Sequence, residues 1–144
     1  MKYIFLSLFL ATCAPAWGMS LEDEVKLGQA EHQKIIGKFG IYRDQELQAY
    51  INQVGQRVAA GSSRPEVEYR FTILNDDMIN AFALPGGHII LFEGLIKAAD
   101  TAEEVAAVLA HEMGHVASRD ATRGALRSAG SIGVLGLVFG DFAG

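Results

Sequence analysis

With 144 residues, half of them hydrophobic and a fifth charged, the chain has the composition of one small globular domain, and intrinsic disorder is excluded. A formal charge of -5 leaves no lysine or arginine cluster able to replace the counterions of a phosphate backbone, so a nucleic-acid surface is excluded as well. One cysteine, Cys13, cannot form a disulfide framework within the chain.

The opening MKYIFLSLFLATCAPAWGMS sets Lys2 before an apolar stretch from Tyr3 to Ala11, with small residues at Ala14 and Ala16. This is the pattern of a secretory signal, and the stretch is well short of the roughly 20 residues a spanning helix needs. Residues 1–18 are expected to be a signal peptide, cleaved after Ala16 or Gly18. The LATC run also resembles a lipoprotein signal with Cys13 as the lipidated residue, although threonine before the cysteine departs from that pattern. A mature chain then offers no thiolate, and any metal falls to nitrogen and oxygen donors.

Ser20, with Asp23 three residues on, marks a helix start, and LEDEVKLGQAEHQKII continues in good helix formers until Gly37. His32 within it reads as a surface histidine. Asp44 caps a second helix, in which Leu47, Ile51, Val54 and Val58 make one apolar face before Gly61 ends it. After the GSSRP loop, VEYRFTIL alternates: Val67, Tyr69, Phe71 and Ile73 lie on one side, Glu68, Arg70 and Thr72 on the other. NDD turns the chain, and INAFAL and HIILF follow as short strands joined by PGG, so a small antiparallel sheet is expected.

Gly86, Gly87 and His88 read as hairpin residues, and Glu93 begins the next helix, where its charge suits the helix dipole. That helix breaks near Asp100 and restarts with Thr101 as N-cap and Glu104 as its reciprocal partner. Arg119, Arg123 and Arg127, at spacing four, read as a solvated ridge. Residues 124–144 are apolar and dense in glycine; burial against a partner element is expected rather than a membrane span.

Within the capped helix lies LAHEMGHVASRD, with His111 and His115 four apart around Glu112. On a helix, residues at that spacing lie about 40° apart in rotation and about 6 Å apart along the axis, so two imidazoles can grip one ion. Zn²⁺ suits nitrogen and oxygen donors in a tetrahedral set that leaves one position for water. A neighbouring carboxylate can take a proton from that water and pass it to a leaving amine. Chance decoration of a helix is the competing explanation, but residue frequencies give the five-residue pattern a probability of roughly one per cent in a chain of this length. From Val105 to Ala117 no lysine, arginine or aspartate solvates any side, so the helix is expected to be buried nearly all round, with the ion relieving the cost of Glu112 there.

HEMGH, preceded by INAFALPGGHIILFEGLI and EEVAAVLA, resembles the zinc endopeptidase family that holds the CAAX prenyl proteases, the heat-shock protease HtpX, the mitochondrial protease OMA and periplasmic quality-control proteases. The likeness runs from about Leu21 to Arg123. It implies an α+β, zincin-like fold, one Zn²⁺ per chain held by His111 and His115, Glu112 as base, and a glutamate on a later helix as third ligand. After Glu112 the acids are Asp120 and Asp141; on a continued helix Asp120 faces about 140° away from His115 and makes a poor ligand. Asp141 stays open as a ligand with nothing to support it, and the resemblance implies that the family-type glutamate lies beyond Gly144, with 19–123 the N-terminal part of a metallopeptidase domain and 124–144 a further segment of it. Members of that family usually carry histidine where Asp120 stands, a departure that touches the surroundings of the ligands more than the ligands.

The resemblance also implies that Asn80, Ala81 and Phe82 lie on an edge strand pairing with the substrate backbone, an ordinary core hairpin being the alternative. Asn80, a polar residue ahead of AFAL, needs a partner in either case. The function implied is hydrolysis of unfolded or misassembled envelope polypeptides in the periplasm or at the membrane of a Gram-negative bacterium, beside outer-membrane assembly machinery. Two rivals stand against it: a catalytically incomplete, chaperone-like binding module, and an interaction protein using residues 124–140 on a membrane or partner.

Overall fold

A computed structural model describes residues 18–120 and Thr122. The expected leader through residue 17 with Cys13, and Arg123, Arg127, Asp141 and the glycine-dense segment, lie outside the described residues. Helix α1 spans Leu21–Phe39, α2 Gln45–Ala59, α3 Glu93–Ala98 and α4 Ala102–Ala117; strands β1, β2 and β3 span Arg70–Leu74, Ala81–Ala83 and His88–Phe92.

The helix starts follow local chemistry. Ser20 Oγ accepts from the Asp23 amide at 3.1 Å, and Asp44 Oδ1 accepts from the Leu47 amide at 2.9 Å, each satisfying one of the amides a first turn leaves unpaired. Helix α1 runs through Gly37 and stops at Gly40, whose φ of 74° is open to glycine at little cost.

The sheet is small, as expected, but mixed. Its order is β1-β3-β2, with β3 antiparallel to β2 and parallel to β1. From β1 the chain crosses to the far edge as β2, and the Gly86–Gly87 turn, at φ 83° and 107°, brings it back as β3 between the other two. All five residues of β3 are buried, as suits a central strand covered on both faces; HIILF accordingly has no polar alternation.

Each face of the sheet has its own core. On one, Phe71, Ile73, Ala83, Ile89 and Leu91 pack with Ile51 of α2 and with Val105, Leu109, Met113 and Val116 of α4. On the other, Leu74, Phe82, Ile90 and Phe92 pack with Ile35, Leu27 and Phe39 of α1. Val67 and Tyr69 join the first core, as the alternation predicts. The result is an α+β layering, one helix on one face and the metal-motif helix on the other. None of the helices among the described residues is long and apolar enough to cross a membrane.

His32 is a correction to the sequence reading. It is half-buried, its Nε2 lies 2.8 Å from Thr72 Oγ1, and its ring stacks on His88 at 4.6 Å between centroids. Helix periodicity places it beside Ile35 on the face turned to the sheet.

Candidate metal centre

Thr101 Oγ1 accepts from the Glu104 amide at 3.2 Å, opening α4 as expected. The return contact falls one residue further out, where Glu104 Oε2 accepts from the Asp100 amide at 2.9 Å. From this start Val105, Leu109, Met113 and Val116 are buried in the first core, and they fix the rotation of the helix.

His111 thereby comes to the exposed side, with Glu112 and His115 partly buried beside it. The helix is not buried all round: Ala107, Ala110 and Gly114 are exposed, and a Cβ built on Gly114 meets nothing within 4 Å among the described residues. The absence of charge on this face does not mark burial; the small side chains leave the metal motif accessible.

The two imidazoles meet edge to face, centroids 4.7 Å apart, with their Nε2 atoms 3.2 Å apart. A tetrahedral zinc with nitrogens at about 2.0–2.1 Å spaces two donors by roughly 3.3 Å, so the pair fits that ion. One donor atom from each of His111, Glu112 and His115 falls within 4.8 Å of the others. Burial pushes the Glu112 carboxyl above its ordinary range, with the charges of His115 and His111 pulling the other way. A carboxyl tuned upward in this manner is the stronger base.

Asp120 does not face away. The helix ends at Ala117, Arg119 adopts φ 59°, and the reversal sets Asp120 Oδ2 3.2 Å from His115 Nδ1 and 2.6 Å from Ser118 Oγ, which donates to it. A carboxylate on Nδ1 fixes the tautomer with Nε2 free for a metal. Arg119 is likewise not on a solvated ridge; its Nε lies 3.0 Å from the buried Glu24. Sequence reasoning missed Glu24, Arg64 and Arg119 as neighbours of the motif, because nothing local marks a glutamate in a first turn as buried.

The structure places the remaining candidates as follows. Ala81 and Ala83 pack in the core that holds α4, on the edge strand of the sheet, while the Phe82 side chain is buried in the opposite core. Asn80 finds its partner in the adjacent backbone: its Oδ1 accepts from the Ala81 amide at 2.8 Å. The Phe92 amide bonds Asn80 O and the Leu84 amide bonds His88 O, so antiparallel alternation turns the backbone groups of Ala81 and Ala83 to the outer edge of the sheet formed by the described residues. His88 is buried under α1, stacked on His32, and Glu93 is a buried helix start paired with Lys97.

Residues 45–142 match the sequence profile described as Peptidase family M48. Over 105 residues the chain is 33% identical to the Beta-barrel assembly-enhancing protease of Yersinia pestis and 31% identical to that of Escherichia coli (strain K12), covering 73% of this chain and 22% of each relative. Over 107 residues it is 30% identical to the Mitochondrial metalloendopeptidase OMA1 of Schizosaccharomyces pombe, covering 70% of this chain and 31% of that one. The chain thus spans between 22% and 31% of the length of these curated relatives.

Proposed function

The chain belongs to peptidase family M48, and from that premise we propose that residues 19–123 are the N-terminal part of a zinc-dependent metalloendopeptidase domain. The observation that carries the reading is the 3.2 Å between the Nε2 atoms of His111 and His115, beside a carboxyl raised by burial. His111 and His115 hold the ion, one per chain, and the third ligand is a glutamate of a later helix, as the family resemblance implies. When bound, zinc supplies Lewis-acid polarisation of the scissile carbonyl and of the attacking water.

Glu112 accepts a proton as the water oxygen bonds to the carbonyl carbon, then returns it to the amide nitrogen as the C–N bond breaks. Asp120 keeps His115 in the tautomer that presents Nε2. The outward Ala81 carbonyl and the Ala83 amide and carbonyl pair with an extended substrate by strand addition, while Asn80 occupies the Ala81 amide and Phe82 anchors the strand from the core. Main-chain pairing tolerates varied sequences, which suits unfolded or misassembled polypeptides.

The names of the bacterial relatives, which are assembly-enhancing proteases for beta-barrels, support an envelope location and proximity to outer-membrane assembly. Residues 1–18 then act as the export signal, and 124–144 belong to the same domain. The test is direct. Purified protein that carries these residues together with the glutamate-bearing later helix is expected to hold about one zinc and to cleave casein, and Glu112→Gln to abolish cleavage while keeping the metal. That protein, folded but without zinc or cleavage, would overturn the enzyme in favour of a binding module.

A further inference from the structure

Glu24, in the first turn of α1, is fully buried although it contributes no atom to the histidine pair. Its Oε2 accepts from both Nη1 and Nη2 of Arg64, each at 3.1 Å, and the same Nη1 donates to Val116 O at 3.1 Å. Its Oε1 lies 3.0 Å from Arg119 Nε, an ion pair whose N–H is not aligned as a hydrogen bond. Arg119 Nη1 also donates to Met19 O at 3.3 Å. The end of the metal-motif helix and the turn that follows are therefore fastened to a carboxylate on the helix across the sheet.

What is fastened there is a disfavoured backbone. Among the described residues, Arg119 is the one non-glycine at positive φ, a conformation that is disfavoured for a residue with a Cβ. The conformation has one consequence at the centre: it reverses the chain so that Asp120 reaches His115 Nδ1. A helix continuing through residue 119 would carry Asp120 about 140° away.

We propose that Glu24 is a positioning residue of the metal centre: by pairing with Arg119 it holds the 118–120 turn left-handed, keeps Asp120 on His115 Nδ1, and so keeps the His115 Nε2 directed at His111. The proposal rests on the zinc reading above. It assigns to a residue of α1 an effect on metal affinity and on the His115 tautomer, neither of which a purely structural ion pair would alter.

The test uses the protein with the later helix that carries the third ligand, zinc affinity being measured by competition against a chromophoric chelator and the His115 tautomer read by long-range ¹H–¹⁵N NMR. Glu24→Gln is expected to weaken zinc binding roughly tenfold and to shift His115 away from the Nδ1–H form. Arg119→Ala, which keeps the Cβ and removes the clamp, is expected to do the same. Arg119→Gly, which adopts the turn without help, should stay within about twofold of the parent, and Glu24→Gln combined with Arg119→Gly should return to that level.

Equal affinity and an unchanged tautomer in Glu24→Gln and Arg119→Ala, even with a lower melting temperature, would overturn the proposal. If Glu24→Gln does not fold, the split between alanine and glycine at 119 decides alone, and its absence overturns the proposal. A parent protein that carries the third ligand and binds no zinc removes both this proposal and the zinc reading; a parent that binds zinc with unaffected variants removes this one only.

Discussion

The imidazole of His115 has a different neighbour at each nitrogen: Asp120 Oδ2 stands 3.2 Å from Nδ1, and the Nε2 of His111 stands 3.2 Å from its own Nε2. The carboxylate accepts the Nδ1 proton, so the other nitrogen keeps its lone pair and becomes the stronger donor. Removing that partner lets the ring rotate and adopt either tautomer. Asp120→Ala is therefore expected to weaken zinc binding by about 10- to 100-fold, and Asp120→Asn, which keeps a carbonyl acceptor, by less. Chelator competition on the two variants checks the order; equal loss in both would show that charge alone, and not acceptance of the Nδ1 proton, is what Asp120 contributes. The spacing of His111, Glu112 and His115 was legible in the sequence because a helix translates spacing into direction within one turn. The role of Asp120 was not, because it depends on the φ of Arg119, which is set by a buried glutamate from the far end of the described chain.

At the scale of elements, two glycines on neighbouring helices make opposite demands. A Cβ on Gly55 of α2 would lie 2.3–2.6 Å from ring atoms of Phe71 on β1, inside the first core, whereas one on Gly114 of α4 meets nothing within 4 Å among the described residues. Alanine favours a helix interior over glycine by about 0.5–1 kcal/mol in both places. At position 55 that gain is outweighed by forcing a packed aromatic ring aside, an overpacking cost of about 1–3 kcal/mol. Gly55→Ala is expected to lower the urea midpoint and Gly114→Ala to raise it. A lowered midpoint for Gly114→Ala would instead mean that some further element packs closely on that helix face. The elements themselves were readable where the code is local: Ser20, Asp44 and Thr101 cap as written, and Val67 to Ile73 alternate into one core. Strand direction was less so, because adjacent strands in sequence suggest hairpins, while here β2 crosses to the outer edge and leaves β3 parallel to β1. The unbroken apolar run HIILF carried the signal of a central strand, since strand alternation survives only where one face meets water.

Across the whole molecule, α1 reaches the sheet partly through a polar contact. His88 at the start of β3 is buried, its Nδ1 has no hydrogen-bond partner among the described residues, and His32 of α1 stacks on it while bonding Thr72 of β1. Burial, with smaller contributions from the charges of His32 and Arg70, lowers the His88 pKa from 6.5 to about 4, and burial lowers that of His32 as well. Above pH 6.5 His88 is neutral in both the folded and the unfolded chain and contributes no pH dependence. Between about 6.5 and 4 the unfolded chain binds a proton at this position that the folded chain excludes, so stability falls as the pH falls, and by about 3 kcal/mol across the window for His88. For a small domain that is a large share of the total, and it should loosen the packing of α1 before the metal-motif helix on the opposite face. His88→Gln, which is neutral throughout, is expected to lose less stability between pH 7 and pH 4.5 than the parent, by about 2–3 kcal/mol. Because the two proteins differ at position 88 alone, the difference in urea midpoints isolates His88, and parallel pH profiles would show that its proton is accommodated in the folded state.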